Sequence, residues 1–174
     1  MTVIDVSKDP ERLTMSIVSE FPVSVERTWQ LWADPRQLER WWGPPGYPAT
    51  FVDHDLTPGG RCSYYMSGPD GDAPWGWWEI LAVDAPHRLE LRDGFSGEDG
   101  KPNPDMPEMT MVLTIEATDG GSRMTVEARF PSAEVMQQLL EMGMEEGIRA
   151  AAGQIDDLLA ETPARWQLPT RTRD

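Results

Sequence analysis

Residues 21–46, FPVSVERTWQLWADPRQLERWWGPPG, decide how the chain folds. Ser24 can cap a first helix whose apolar side chains recur at helical spacing, namely Val25, Trp29, Trp32 and Ala33. Asp34 followed by proline indicates the start of a second helix, and Gln37 occupies the position of a capping-box partner. Because GPPG at 43–46 cannot continue a helix, the second helix ends at two adjacent tryptophans. The stretch therefore predicts a pair of short helices.

On both sides of this pair, the apolar residues alternate with a period of two, which is typical of strands. Residues 12–21, RLTMSIVSEF, form one such segment, and several others follow between residues 50 and 130. Gly-, Pro- and Asp-rich turns separate these segments, and short connections favour antiparallel neighbours. The exception is a long polar loop at 94–107, which we interpret as either mobile or a rim over a cavity.

The last element is predicted to be one long amphipathic helix from Ser132 to about residue 161. Its apolar stripe comprises Met136, Leu140, Met144, Ile148, Ala151, Ile155 and Leu159. A helix with such a stripe must bury it against a sheet.

Together these elements predict an α+β domain in which a curved antiparallel sheet of about seven strands surrounds the C-terminal helix. The two small helices lie between strands 1 and 2 and close one end, which leaves an internal cavity. We assign residues 1–12 to an N-terminal extension, 13–161 to a single ligand-binding domain and 162–174 to a C-terminal tail.

Composition excludes several function classes. The chain has 30 Asp and Glu against 15 Lys and Arg, a net charge of −15, which disfavours nucleic acid and anionic membranes as partners. It has no apolar run long enough for membrane insertion and no signal-like N-terminus, so we expect a cytoplasmic protein. One cysteine cannot form an internal disulfide, and with two histidines it cannot supply a conventional zinc site. We expect no metal and no cofactor.

Specific motifs resemble a known family. The spacing W-x-x-W-x-D-P-x-x-x-x-x-W-W-G-P runs from Trp29 to Pro44, and PGGRCSYYM, EILAVDAPHRLEL and SRMTVEARF follow it. Over residues 13–160 the chain resembles the C-terminal-domain type of activator-of-heat-shock-protein-90-ATPase homologues, within the SRPBCC (START/Bet v 1-like) superfamily. The resemblance implies a helix-grip fold with a ligand cavity. The sequence departs from the family pattern at Met144, where a tryptophan is common, and at Trp78, where a glycine is common.

Strand alternation predicts which side chains face the C-terminal helix. If Phe21 and Phe130 point inward, so do Cys62, Tyr64, Met66, Trp75, Trp77, Glu79, Leu81, Met109, Met111, Leu113, Met124 and Val126. Methionine-rich walls suit an apolar ligand of variable shape. The predicted ligand-binding residues are Trp42, Tyr64, Met66, Trp77, Glu79, Met109, Met111, Met136, Leu140 and Met144.

Several of these residues have a plain alternative as core or surface groups. Glu79 is either a buried carboxylate with a raised pKa or an outward residue paired with an arginine, and Tyr64 needs a polar partner if buried. Trp41 is expected to anchor the helix pair, while Trp42 either covers the sheet or lines the cavity. His54 lies on the face opposite its two flanking aspartates, which argues against a metal site, and Cys62 is expected in the core.

The leading hypothesis is a domain that binds a hydrophobic or aromatic small molecule in its cavity, without demonstrable catalysis. A second is a cyclase or lyase acting on a polyketide-like aromatic precursor, with Glu79 or Tyr64 moving protons. A third is a chaperone-associated interaction module, which is disfavoured because we expect no separate N-terminal domain like that of true chaperone activators. Edge strands and exposed tryptophans would favour a homodimer.

Overall fold

The computed structural model describes residues 3–161 and contains one antiparallel sheet flanked by helices on one face. The strands are β1 (Val3–Asp9), β2 (Thr14–Phe21), β3 (Ala49–His54), β4 (Arg61–Met66), β5 (Trp75–Asp84), β6 (Arg88–Ser96), β7 (Glu108–Thr118) and β8 (Gly121–Arg129). Their order across the sheet is β1-β2-β8-β7-β6-β5-β4-β3. The predicted α+β helix-grip class is confirmed.

The two short helices form where their caps predict them. Helix α1 spans Val25–Ala33 and helix α2 spans Pro35–Trp41. The Ser24 hydroxyl accepts a hydrogen bond from the Arg27 amide at 3.1 Å, and Asp34 accepts one from the Arg36 amide. Each cap satisfies a backbone N–H that the helix leaves unpaired, so local chemistry fixes both starts.

The prediction of one continuous C-terminal helix is wrong. The segment forms α3 (Ala133–Glu141), α4 (Met144–Gly153) and α5 (Ile155–Ala160). Gly143 separates α3 from α4 with φ of 90°, a left-handed conformation that glycine adopts at low cost. At the second break the Gln154 side chain donates to the backbone carbonyls of Trp41 and Gly43, at 3.3 and 2.7 Å. This break therefore links the C-terminal helices to the Trp41–Trp42 pair at the end of α2, here called the tryptophan corner.

The sheet has eight strands, not about seven, because most of the predicted N-terminal extension is part of it. Residues 3–9 form the edge strand β1, which pairs with β2. Lys8 on β1 also forms an ion pair with Glu145 of α4 at 3.0 Å. The predicted C-terminal tail, 162–174, lies outside the described residues.

Two apolar clusters hold the helices to the sheet. The larger one joins α1, α2 and α5 to the central strands around Trp32 and Trp78, which are 1% and 0% exposed. The smaller one packs α3 against β2 and β8 around Met15 and Met136. Between the two clusters, α4 lies over a cleft. No helix within residues 3–161 is both long and apolar enough to cross a membrane.

Candidate ligand-binding cleft

A cleft of about 360 Å³ opens between the sheet, helices α3 and α4, and the end of α2. Nine of its twenty lining residues are aromatic or sulfur-containing, namely Trp41, Trp42, Tyr64, Trp75, Phe95, Met66, Met109, Met142 and Met144. The volume is within the range of small-molecule sites. Methionine side chains can adapt to differently shaped ligands, and aromatic rings offer flat apolar surfaces.

The two residues of the tryptophan corner differ in their contacts: Trp41 anchors helix α2, and Trp42 is part of the cleft wall. Trp41 is 3% exposed, and its indole N–H donates to the Leu31 carbonyl at 2.9 Å. Trp42 is half-buried and meets Trp78 edge to face, with ring centroids 4.9 Å apart. Both tryptophans line the cleft, and Trp42 is the more exposed of the two.

Two glycines make room for the cleft. A Cβ added to Gly76 on β5 would lie 2.4 Å from the Tyr64 ring and hydroxyl, so only glycine allows this ring to cross the strand. Gly147 on α4 has no atom within 4 Å of an added Cβ, so a side chain at this position would enter open space. Both glycines line the cleft.

A carboxyl group and a phenol form the polar part of the wall. Strand β6 alternates Leu89, Leu91 and Asp93 on the face that turns toward the helices. The Tyr64 hydroxyl donates to Asp93 Oδ1 at 3.2 Å. Asp93 keeps some accessible surface and lines the cleft, so the cleft gives access to an otherwise enclosed acid.

Burial dominates the acid–base behaviour of this pair. Desolvation raises the pKa of Asp93 to about 7, against smaller lowering effects from the Tyr64 hydroxyl, the Trp78 indole and the Gly94 amide. Desolvation also raises the pKa of Tyr64 well above its usual value, and the nearby Asp93 charge adds to this. The phenol therefore stays protonated while Asp93 titrates near neutrality.

Two indole N–H groups beside this pair have no hydrogen-bond acceptor among the residues described. They are Trp42 Nε1 and Trp78 Nε1, and both atoms are buried. Weak hydrogen-bonding contacts from both indoles lower the pKa of Tyr64, and that from Trp78 also lowers the pKa of Asp93. Buried unpaired donors are costly, so this part of the wall has unused hydrogen-bonding capacity.

The structure brings half of the predicted site residues together. Trp42, Tyr64, Met66, Met109 and Met144 line the cleft, and their role in binding stays a prediction.

Three predicted side chains lie elsewhere. Met111 is buried in the larger cluster, while Met136 and Leu140 pack in the smaller one. The break at Gly143 means that the apolar side chains of α3 and α4 do not form one continuous stripe. Leu139, and not the predicted Leu140, lines the cleft.

The predicted inward orientation is wrong for Trp77, Glu79 and Leu81 of β5, whereas Trp75 at the start of this strand lines the cleft. The register pairs Cys62 with Trp78 and so puts Trp78, not Trp77, on the core face. Glu79 lies on the outer face, 3.4 Å from Arg92, and Leu81 is 39% exposed. Because two tryptophans, Trp77 and Trp78, are adjacent on β5, sequence alternation alone left the inward face of this strand ambiguous.

On the outer face, Trp77 is held by its own contacts. Its indole N–H donates to the Phe95 carbonyl at 3.0 Å, and the Arg92 guanidinium lies 5.7 Å from its ring centre. Residues 98–100 of the polar loop help enclose a second cavity of about 200 Å³ beside this ring. Residues 98–100 therefore form a rim on the outer face, as one of the two sequence interpretations had it, while Gly94, Phe95 and Pro107 of the same segment line the main cleft.

Asp93 is the functional candidate that sequence reasoning missed. The signal was present in HRLELRD, because Asp93 continues the alternation of Leu89 and Leu91. An acid in phase with core leucines is unusual, since charged residues are seldom buried.

Other reactive side chains are accounted for by packing. Cys62 is 1% exposed, and burial raises its thiol pKa to about 12. His54 Nε2 lies 3.0 Å from the Trp32 carbonyl, a structural hydrogen bond at the end of β3. The part of the chain from 3 to 161 contains no group of three or more His, Cys, Asp or Glu arranged to hold a metal ion.

Comparisons with known proteins agree with this architecture. The family model for "Activator of Hsp90 ATPase homolog 1-like protein" matches residues 22–160. The crystal structure of protein Ms6760 from Mycobacterium smegmatis shares 53% identity with a TM-score of 0.84, covering 92% of this chain and 99% of that one. The solution structure of an Arthrobacter aurescens protein shares 47% identity with a TM-score of 0.88, covering 99% and 100%. A search of curated proteins finds no match.

Proposed function

The chain belongs to the family of activator of Hsp90 ATPase homolog 1-like proteins, and from that premise we propose that it binds a hydrophobic or aromatic small molecule in the cleft under helix α4. The observation that carries the proposal is the cleft itself: about 360 Å³, apolar in most of its wall, with one polar pair. Ligand sites commonly combine a large apolar surface with a few polar groups that orient the ligand.

Apolar burial would supply most of the affinity. Each Å² of ligand surface removed from water contributes roughly 25 cal/mol, before the cost of association is subtracted. Tyr64 and Asp93 would then orient the ligand, because a ligand that cannot hydrogen-bond to them binds with lower affinity.

A fluorescence titration with the apolar dye N-phenylnaphthylamine tests this proposal. Gly147→Leu should fill the cleft, since an added Cβ at Gly147 points into open space, whereas Gly153→Leu on the exposed end of the same helix is the matched control. We expect saturable dye binding by the wild type and the control, and a loss of affinity of roughly tenfold or more for Gly147→Leu. Equal binding by all three proteins, or none by the wild type, would refute the proposal.

One observation favours a second candidate, a cyclase or lyase acting on a polyketide-like aromatic precursor. A carboxyl group with a pKa of about 7 that is hydrogen-bonded to a phenol can exchange protons with a bound substrate. Asp93, beside Tyr64, takes the proton-transfer role that was proposed from the sequence for Glu79 or Tyr64. Under this alternative, Asp93→Asn should abolish turnover of such a precursor while dye binding persists.

The chaperone-associated interaction module stays a prediction without a specific structural observation in its favour. Trp42 packs against Trp32, Trp41, Tyr64 and Trp78 instead of forming an exposed patch. The homodimer and the cytoplasmic location likewise stay predictions.

A further inference from the structure

Resting on the proposed binding function, we propose that the ligand is an organic cation: an amine joined to an apolar or aromatic body, its ammonium group paired with the Asp93 carboxylate. The proposal rests on an acid that the fold places in an apolar cleft without a positive partner.

The elements around Asp93 supply no counter-charge. The side chains that face it or line the cleft beside it are Tyr64 of β4, Trp78 of β5, Met109 of β7, Trp42 after α2, and Met144 and Ile148 of α4. Tyr64 is the one titratable group among these, and it is neutral. No cleft-lining residue, all of which belong to the described part of the chain, is Lys, Arg or His.

The nearest arginine in sequence is already engaged on the other face of the sheet. Arg92 pairs with Glu79 at 3.4 Å and with Glu108 at 2.8 Å. Successive residues on a strand point to opposite faces, so this guanidinium cannot turn into the cleft without breaking both ion pairs.

The remaining chemistry of the cleft discriminates between ligand charges. A buried carboxylate without a cationic partner is costly, and an ammonium group within contact distance supplies both charge and hydrogen-bond donors. The aromatic rings that line the cleft include Trp42 and Tyr64. Such rings attract cations through cation–π interaction, and indole provides the strongest attraction. An anion would meet the Asp93 charge in a protein whose net charge is −15.

Three probes with one ring system test the charge preference: naphthylethylamine, naphthylethanol and naphthylacetate, each titrated calorimetrically at neutral pH. We expect the amine to bind roughly 10- to 100-fold more tightly than the alcohol, and the acetate to bind most weakly. Asp93→Asn should weaken binding of the amine roughly 10- to 100-fold and so remove its advantage over the alcohol.

Glu79→Gln is the matched control, because it removes the same charge from the outer face of the sheet. It should keep the preference for the amine, which excludes an effect of net charge alone. Equal binding of amine and alcohol, or an amine advantage that survives in Asp93→Asn, would overturn the cation inference while leaving the proposed function intact. Failure of all three probes to bind would overturn both.

Discussion

Asp93 and Tyr64 are the two titratable residues on the cleft wall, and their chemistry follows from burial. The phenol donates to the carboxylate, but one hydrogen bond does not repay the loss of water around a charge. The acid therefore carries a proton more readily in the folded chain than in the unfolded one, where its pKa is near 3.8. This difference couples the stability of the protein to pH.

We predict that Asp93 makes the folded state less stable as pH rises. The folded pKa of about 7 exceeds the unfolded value of 3.8, so the folded state binds the proton more tightly. Its contribution is complete below about pH 4, declines between about pH 4 and 7, and amounts at most to on the order of 4 kcal/mol. Asp93→Asn should therefore gain stability relative to wild type as pH rises from about 5 to 8, as measured by urea unfolding.

The control for this measurement is Glu79→Gln. Its partly exposed ion pair with Arg92 should change the free energy of unfolding by less than about 1 kcal/mol. If the difference between wild type and Asp93→Asn stayed constant across this pH range, the raised pKa would be wrong.

Cys62 should be chemically inert in the folded protein. It is 1% exposed, and burial raises its pKa to about 12, so very little thiolate forms near neutrality. Iodoacetamide should modify the thiol only after unfolding, as followed by mass spectrometry. Rapid alkylation of the native protein would show that this side chain is open to solvent.

At the scale of elements, the C-terminal segment depends on the conformation of one glycine. Gly143 has φ of 90°, and Gly143→Ala should destabilise the protein by about 1–2 kcal/mol through left-handed strain. Gly147→Ala lies inside α4 with open space for its methyl group and should stabilise by up to about 1 kcal/mol. Chemical unfolding of both variants checks the sign of each change, and equal effects would contradict the observed helix break.

Strand β5 should be equally sensitive at Gly76. A Cβ there would lie 2.4 Å from the Tyr64 ring, so Gly76→Ala should displace the phenol from Asp93 and cost about 1–3 kcal/mol of unfolding free energy. Adding Tyr64→Ala removes the clashing ring, and the double variant should lose less stability than the sum of the single variants. Strict additivity in urea unfolding would show that the two residues do not conflict.

These elements also show where sequence reasoning succeeds. Helices α1 and α2 were predictable because Ser24, Asp34 and Pro35 specify their starts by local chemistry. The break at Gly143 was missed because the apolar stripe continues across it, and a glycine inside a periodic segment does not by itself end a helix. The face to which each β5 side chain points depends on the register of β5 with β4. This register cannot be derived from the sequence of β5 alone.

At the scale of the whole molecule, periodicity and turns were sufficient for the fold class, but the site required the register of the sheet. Tyr64 and Asp93 are 29 residues apart, and they meet because β4, β5 and β6 are consecutive neighbours in the sheet. Alternation could place each residue on a face, yet it could not bring the two together. The cleft likewise depends on Gly76 and Gly147, because neither residue has a side chain that would occupy its space.

Native mass spectrometry of the freshly purified protein tests the central claim, a working cleft, most directly. Wild-type protein and Gly147→Leu are compared, each with one equivalent of naphthylethylamine and without it. The account predicts a one-to-one complex of the wild type with a co-purified passenger or the added amine, and little or no complex of Gly147→Leu. An empty wild type that also fails to take up the amine, or equal occupancy in both proteins, would contradict it.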